Sequence, residues 1–261
     1  MASLSTARAL AVALCLAAAG CAETGLYTTD TSRERAIATE TAASVEKGAI
    51  VELKTDMKVR TIGRESFVGV LTEAKNPVGA IVLLNDREMG PNAGFVGRLR
   101  VLLVDRGYTT FSIQQPLLGP GTPAKEYEFL FEDAGDRIGV ATKYLQSKGY
   151  SRIALVGYGM GARMAEFYVN NVGDNPMFAW VPISISNGEF VRSSGLHLPT
   201  LDVYAESDSG DVVKGAPIRS ALVRTAPKSR QVRIVGASGS YSGKEREVAN
   251  EIARFLDGAT K

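Results

Sequence analysis

Short apolar runs alternating with stretches of helical period leave this chain few folds to adopt. Residues 66–71, 79–84, 108–113, 153–156, 178–183, 200–204 and 231–235 read as strands. Between them, residues 95–106, 128–146, 162–170, 212–224 and 244–256 read as helices. In the first of these, Phe95, Val96, Leu99, Leu102 and Leu103 fall at helical spacing. The run Ile153-Ala154-Leu155-Val156 is apolar throughout, as strands covered on both faces are. Strand–helix alternation predicts an α/β fold: a mostly parallel, doubly wound sheet with helices on both faces. Residues 49–261 are expected to form this one domain. The segment from Gln114 to Tyr127, with Gly119-Pro120-Gly121-Thr122-Pro123 inside it, reads as irregular and is expected at the sheet's C-terminal edge.

Charge and residue counts exclude whole classes of function. Thirty basic and 28 acidic residues give a net charge of +2, too balanced for an electrostatic nucleic-acid binder. The 261 residues contain one histidine, His197, which removes most metal-site and acid–base chemistry built on imidazole. No cofactor and no metal are expected. An acidic group, Asp202, Glu206, Asp208 and Asp211, could take Ca²⁺, but reads more simply as a solvated loop and a helix N-terminal charge.

The N-terminus carries an address. Arg8 precedes an apolar run from Ala9 to Ala19, the length of a signal h-region and too short to span a bilayer. The run ends Ala18-Ala19-Gly20-Cys21, which resembles the lipobox of bacterial lipoproteins, with Ala18 where Leu is usual. The resemblance implies a signal peptide over 1–20, cleavage before Cys21, and acylation of Cys21 as a membrane anchor. Ala22 after the cysteine implies the outer membrane, with the chain facing the periplasm. Cys15 leaves with the signal, so the mature chain has no cysteine pair for an internal disulfide. Residues 21–48 are polar and read as lipidated Cys and a flexible, solvated tether.

The segment with chemical content follows the strand at 153–156. There the chain runs Gly157-Tyr158-Gly159-Met160-Gly161-Ala162 into a helix. This resembles the nucleophile elbow, G-x-S-x-G, of the α/β-hydrolase superfamily. Two more segments fit: the turn Tyr204-Ala205-Glu206-Ser207-Asp208, and Gly236-Ala237-Ser238-Gly239-Ser240-Tyr241 after the last strand. A narrower likeness to an uncharacterised bacterial branch rests on residues 199–204, 215–219 and 229–232, and the superfamily likeness spans about residues 66–257. The resemblance implies that Gly159 stands at the nucleophile position, Asp208 at the acid and Gly239 at the base. A serine needs a neighbouring base to attack, and here neither is present. His197 precedes the 200–204 strand while Asp208 follows it, which puts roughly 20 Å between them at about 3.3 Å per residue.

The same glycines fit a dinucleotide fingerprint, Gly157-x-Gly159-x-x-Ala162, but the next strand supplies no acid before Glu189. Two expectations remain. One is a membrane-anchored periplasmic lipoprotein with a catalytically degenerate hydrolase fold, binding a small apolar ligand or an envelope protein partner. Its pocket would be lined by Asn85, Leu117, Met160 and Tyr241, together with Phe129. The other is an active carboxylester or lipid hydrolase with a rearranged site, using Ser186 or Ser240 with Asp208.

Overall fold

The computed structural model describes residues 29–55, 66–172, 175–186 and 198–259. Cys21 and His197 lie outside the described residues. Eight strands form one sheet: β1 (Ala49–Lys54), β2 (Ser66–Thr72), β3 (Gly79–Leu84), β4 (Tyr108–Ile113), β5 (Ile153–Tyr158), β6 (Met177–Ile183), β7 (Leu201–Ser207) and β8 (Arg230–Ser238). Their order is β1-β2-β4-β3-β5-β6-β7-β8. β2 runs antiparallel to both β1 and β4, and the other neighbours pair in parallel. The expected mostly parallel sheet is therefore present, with one antiparallel hairpin at its edge.

Helices α2 (Gly94–Val104) and α6 (Glu245–Ala259) cover one face; α3 (Phe131–Ser147), α4 (Met160–Asn171) and α5 (Gly210–Val223) cover the other. Alternation along the central β3 explains why both faces are filled. Ile81 and Leu83 pack with Leu99, Leu103, Val248, Ile252 and Leu256 on the first face. Ala80, Val82 and Leu84 pack with Ile138, Ala141, Leu145, Ala162 and Ala165 on the second. All six β3 residues are buried, which is what a run of Gly-Ala-Ile-Val-Leu-Leu requires.

Part of the segment 21–48, expected as a flexible tether, is helical. Helix α1 (Thr31–Ser44) docks on the domain, and β1 follows it directly. Asp30 caps α1 by accepting the Arg33 N–H at 3.1 Å. Apolar packing contributes little to this docking; a buried charge pair dominates it. Glu34 is 5 % exposed and its two carboxylate oxygens meet Arg137 Nη2 at 2.9 and 2.8 Å, with Arg137 fully buried on α3. Glu34 Oε1 also accepts the Leu117 N–H, and its backbone carbonyl accepts from the Gln114 amide. A polar run with one inward glutamate reads as solvated in sequence, because its partner lies 103 positions away.

Candidate functional site

The turn from β5 into α4 has the strained geometry that the glycine pattern predicts. Gly159 sits at φ +57°, ψ −119°, a conformation that non-glycine residues adopt only at a cost on the order of 1–3 kcal/mol. The flanking glycines are needed for close approach rather than for φ. A Cβ at Gly157 would lie 2.5 Å from the Gly161 carbonyl oxygen, and one at Gly161 would lie 2.4 Å from that of Asn85. Strand, turn and helix are thereby pressed together so that residue 159 stands at the sheet's C-terminal edge.

A neighbouring side chain fills the space over Gly159. A Cβ built there would meet Asp86 Cγ and Oδ1 at 2.4 Å. Asp86 follows β3, and its Oδ1 accepts the Met160 N–H at 2.7 Å and the Arg87 N–H at 2.8 Å. Two backbone donors, one at a helix N-terminus and one from the loop after β3, thus converge on a single anionic oxygen. This is the donor arrangement that stabilises an oxyanion, here satisfied by the protein's own carboxylate. Asn85 supports the loop from below, donating through Nδ2 to the Gly90 and Ala93 carbonyls at 2.8 and 3.0 Å.

The second half of the site is built on β6, β7 and the turn after β8. Asp208 Oδ2 accepts from the Ser184 hydroxyl and, at 3.1 Å, from the Ala205 N–H. The Tyr241 hydroxyl lies 2.8 Å from the Ser184 hydroxyl. Ser184 (φ +50°) and Tyr241 (φ +53°) both hold left-handed backbone that side chains disfavour. A Cβ at Gly239 would sit 3.2 Å from Asp208 Oδ1. The Tyr158 hydroxyl donates to the Gly239 carbonyl at 2.7 Å, so the residue beside Gly159 is latched to position 239. Gly159, Asp208 and Gly239 therefore lie at one edge of the sheet.

The other expected site residues are distributed differently. Tyr241 is buried beneath the edge, stacked on Phe95 at 4.7 Å between ring centres. Met160 packs with Leu118, Tyr127, Leu130 and Met164. Leu117 is buried where α1 docks, and Phe129 is exposed. Asn85, Leu117, Met160 and Tyr241 are all nearly inaccessible, and none lines either of two cavities, of about 710 and 390 Å³, that described residues form. The serine that engages Asp208 is Ser184, not Ser186 or Ser240; the Ser240 hydroxyl pairs with that of Ser238 at 3.0 Å. The acidic group does not converge on one point. Asp202 is fully buried against Arg219 at 2.9 Å, while Glu206 accepts the Gly236 N–H. Among the described residues no cluster of three or more metal-ligating side chains occurs. The roles of Asp86 and Tyr158, and Ser184 altogether, were not legible in the sequence. The one available signal was Asn85-Asp86 at the end of the first fully buried strand, where the loop facing the elbow must begin.

Burial dominates the acid–base character of the site. It raises the Tyr158 phenol to about 12, with further upward pressure from Asp86 and Asp208. It raises Tyr241 further still, against the hydrogen bond from Ser184. Unfolded tyrosines ionise near 10, so between pH 10 and 12 the unfolded state releases protons that the folded state keeps. Stability contributed by these phenols is complete below pH 10 and is lost as pH rises toward 12. Denaturant midpoints measured from pH 9 to 11.5 are expected to fall steeply, and Tyr158→Phe is expected to flatten that fall. An unchanged slope would show that Tyr158 titrates as freely in the fold as out of it.

No protein-family model and no curated protein sequence matches the chain. Solved structures do. An esterase from Pyrobaculum calidifontis superposes with a TM-score of 0.61 at 14 % identity, over 88 % of this chain and 92 % of that one. The chain has the α/β-hydrolase fold. An esterase from Pyrococcus furiosus gives 0.61 at 13 % identity over 80 % and 92 % of the two chains. A dienelactone hydrolase from Anabaena variabilis gives 0.59 at 15 % identity over 82 % and 99 %. In this fold the turn after β5, with Gly159 at its apex, lies at the sheet's C-terminal edge.

Proposed function

We propose that this chain is a non-hydrolytic member of the hydrolase fold, exported and anchored through a lipidated Cys21 on the periplasmic side of the outer membrane. There it binds an envelope protein or a small apolar ligand. One observation carries the non-hydrolytic reading: the Asp86 carboxylate occupies the space over Gly159 and takes both converging N–H donors. A hydrolase uses such donors for the charge that develops on its substrate. Here they are spent on a resident anion, and position 159 offers no atom to attack. Binding without turnover follows, since donors alone give no transition-state advantage to a reaction lacking its nucleophile.

A second reading, an active carboxylester or lipid hydrolase with a rearranged site, has support in the Ser184–Asp208 contact and in the esterases that share the fold. Its base would have to be the Asp208 carboxylate itself, which accepts from Ser184, Ala205 and Ser209, since no histidine lies among the described residues. The mature protein assayed on short activated esters, and with a fluorophosphonate probe, decides between them. No turnover above a heat-treated control and no labelling are expected. Stoichiometric labelling that Ser184→Ala abolishes would establish the second reading. Asp86→Ala is expected to free the Met160 and Arg87 N–H groups and to create weak binding of acetate, detectable as amide shifts at both residues. Absence of acetate shifts in that variant would mean that the donors do not form an anion site.

A further inference from the structure

Among the described residues three arginines are buried, and they are not treated alike. Arg137 meets Glu34 and Arg219 meets Asp202, as enclosed charges usually require. Arg100, on α2, is 2 % exposed, and no carboxylate among the described residues lies within ion-pair distance of it. Neutral acceptors hold its guanidinium: the Lys47 carbonyl at 2.6 Å, the Asn92 side-chain oxygen at 2.7 Å and the Thr72 hydroxyl. They fix its place without cancelling its charge, and its Nε has no acceptor. Burial holds the guanidinium below the usual arginine range, with no neighbouring carboxylate to draw it back. Glycines allow this close setting. A Cβ at Gly48 would lie 3.1 Å from Arg100 Nη1, and one at Gly97 would lie 2.0 Å from the Asn92 carbonyl oxygen.

Arg100 lies in the wall of the cavity of about 710 Å³ that runs over α2, between the segment leaving α1 and the start of α6. Arg98 and Glu245, also in the lining, neutralise each other at 2.6 Å. Lys47 and Arg246 line it too, and neither is in an ion pair among the described residues; Glu46 is the one acid of the lining left unpaired. Arg100, Lys47 and Arg246 against Glu46 leave an excess of two positive charges. We propose that this cavity binds a small phosphate monoester, its phosphate held by Lys47 and Arg246 over the buried Arg100 guanidinium. A phosphate monoester carries close to two negative charges at neutral pH, which matches the excess, whereas a monocarboxylate would leave half of it. Lysine and arginine are both suited to phosphate oxygens. The volume lies within the range of small-molecule sites, about 300–1,000 Å³, so the esterified group has room beside Val101 and Leu102. None of the elbow residues takes part, so the site stands whether or not the elbow hydrolyses.

Calorimetric titration of the purified protein with phenyl phosphate, benzoate and phenol, at about pH 8 and low salt, tests this. Phenyl phosphate is expected to bind at one site per chain and to shift the amides of Gly97, Val101 and Arg246. Benzoate is expected to bind several-fold more weakly, and phenol not to bind. Lys47, Arg246 and Glu46 are exposed, so substitutions there leave the core untouched. Lys47→Gln and Arg246→Gln are each expected to weaken phenyl phosphate several-fold and to reduce the salt dependence of its binding. Glu46→Gln is expected to tighten it, which a merely structural role for these residues would not do. Arg100→Met is expected to lose binding while keeping the parent's circular dichroism. Neither heat nor amide shifts with phenyl phosphate would overturn the site. Equal affinity for benzoate would overturn the assignment to a dianion. Undiminished binding in the Lys47→Gln, Arg246→Gln double variant would place the ligand elsewhere, and undiminished binding in Arg100→Met would overturn the part given to the buried guanidinium.

Discussion

An Arg137→Ala protein is expected to be less stable by about 3–5 kcal/mol, the usual cost of stripping one partner from a buried ion pair. Arg137 is fully buried and Glu34 nearly so, and the guanidinium also lies over the Phe67 ring at 5.3 Å. Its removal leaves a carboxylate inside the protein without its guanidinium, beside the Leu117 N–H at 3.1 Å. The loss should be visible as a lower urea midpoint. It should also appear as early proteolysis within residues 31–44, since α1 has little apolar surface to hold it once the pair is gone. The paired change Glu34→Leu with Arg137→Met is expected to recover most of the stability, because apolar residues of similar volume remove both desolvation costs together. A urea midpoint for Arg137→Ala equal to that of the parent protein would mean that α1 docks by other contacts.

Gly159→Ser is expected to be both inactive and destabilised. The backbone at φ +57°, ψ −119° costs a serine on the order of 1–3 kcal/mol. Its Cβ would also collide with the Asp86 carboxylate at 2.4 Å. Asp86 must then swing away from the Met160 and Arg87 N–H groups, and hydrogen bonds to a charged group are worth about 1.5–3 kcal/mol each. A total loss of about 4–9 kcal/mol follows if both bonds are lost, read from thermal or urea unfolding. No histidine lies among the described residues to accept the proton of the hydroxyl gained, so fluorophosphonate labelling should stay at background. Adding Asp86→Ala to Gly159→Ser is expected to return part of the stability by clearing the collision. Robust esterase activity in the single variant, or a stability equal to the parent's, would refute this account of the elbow.

Local patterns in the sequence identified the strands and helices because hydrophobic period and glycine punctuation are read within a few residues. They marked β5, the turn and α4, and they aligned Gly159, Asp208 and Gly239, which the structure gathers at one edge. Strand β1 escaped because Ala49–Lys54 is mostly exposed and lies at the rim, where burial imposes little pattern. Ser184 escaped because its value lies in a hydroxyl aimed across the sheet at a residue 24 positions on.

The sequence by itself determined the sheet, its two helical layers and the absence of a side chain at the apex of the elbow, since each is written in residue type and spacing. Tertiary structure alone decided that Asp86 fills that apex and that Glu34 carries α1 onto Arg137. Both are single polar contacts between distant segments, 74 residues apart for Met160 and Asp86 and 103 for Glu34 and Arg137. Such contacts leave no periodic trace, because one inward charge among solvated neighbours looks the same as an outward one until its partner is brought beside it.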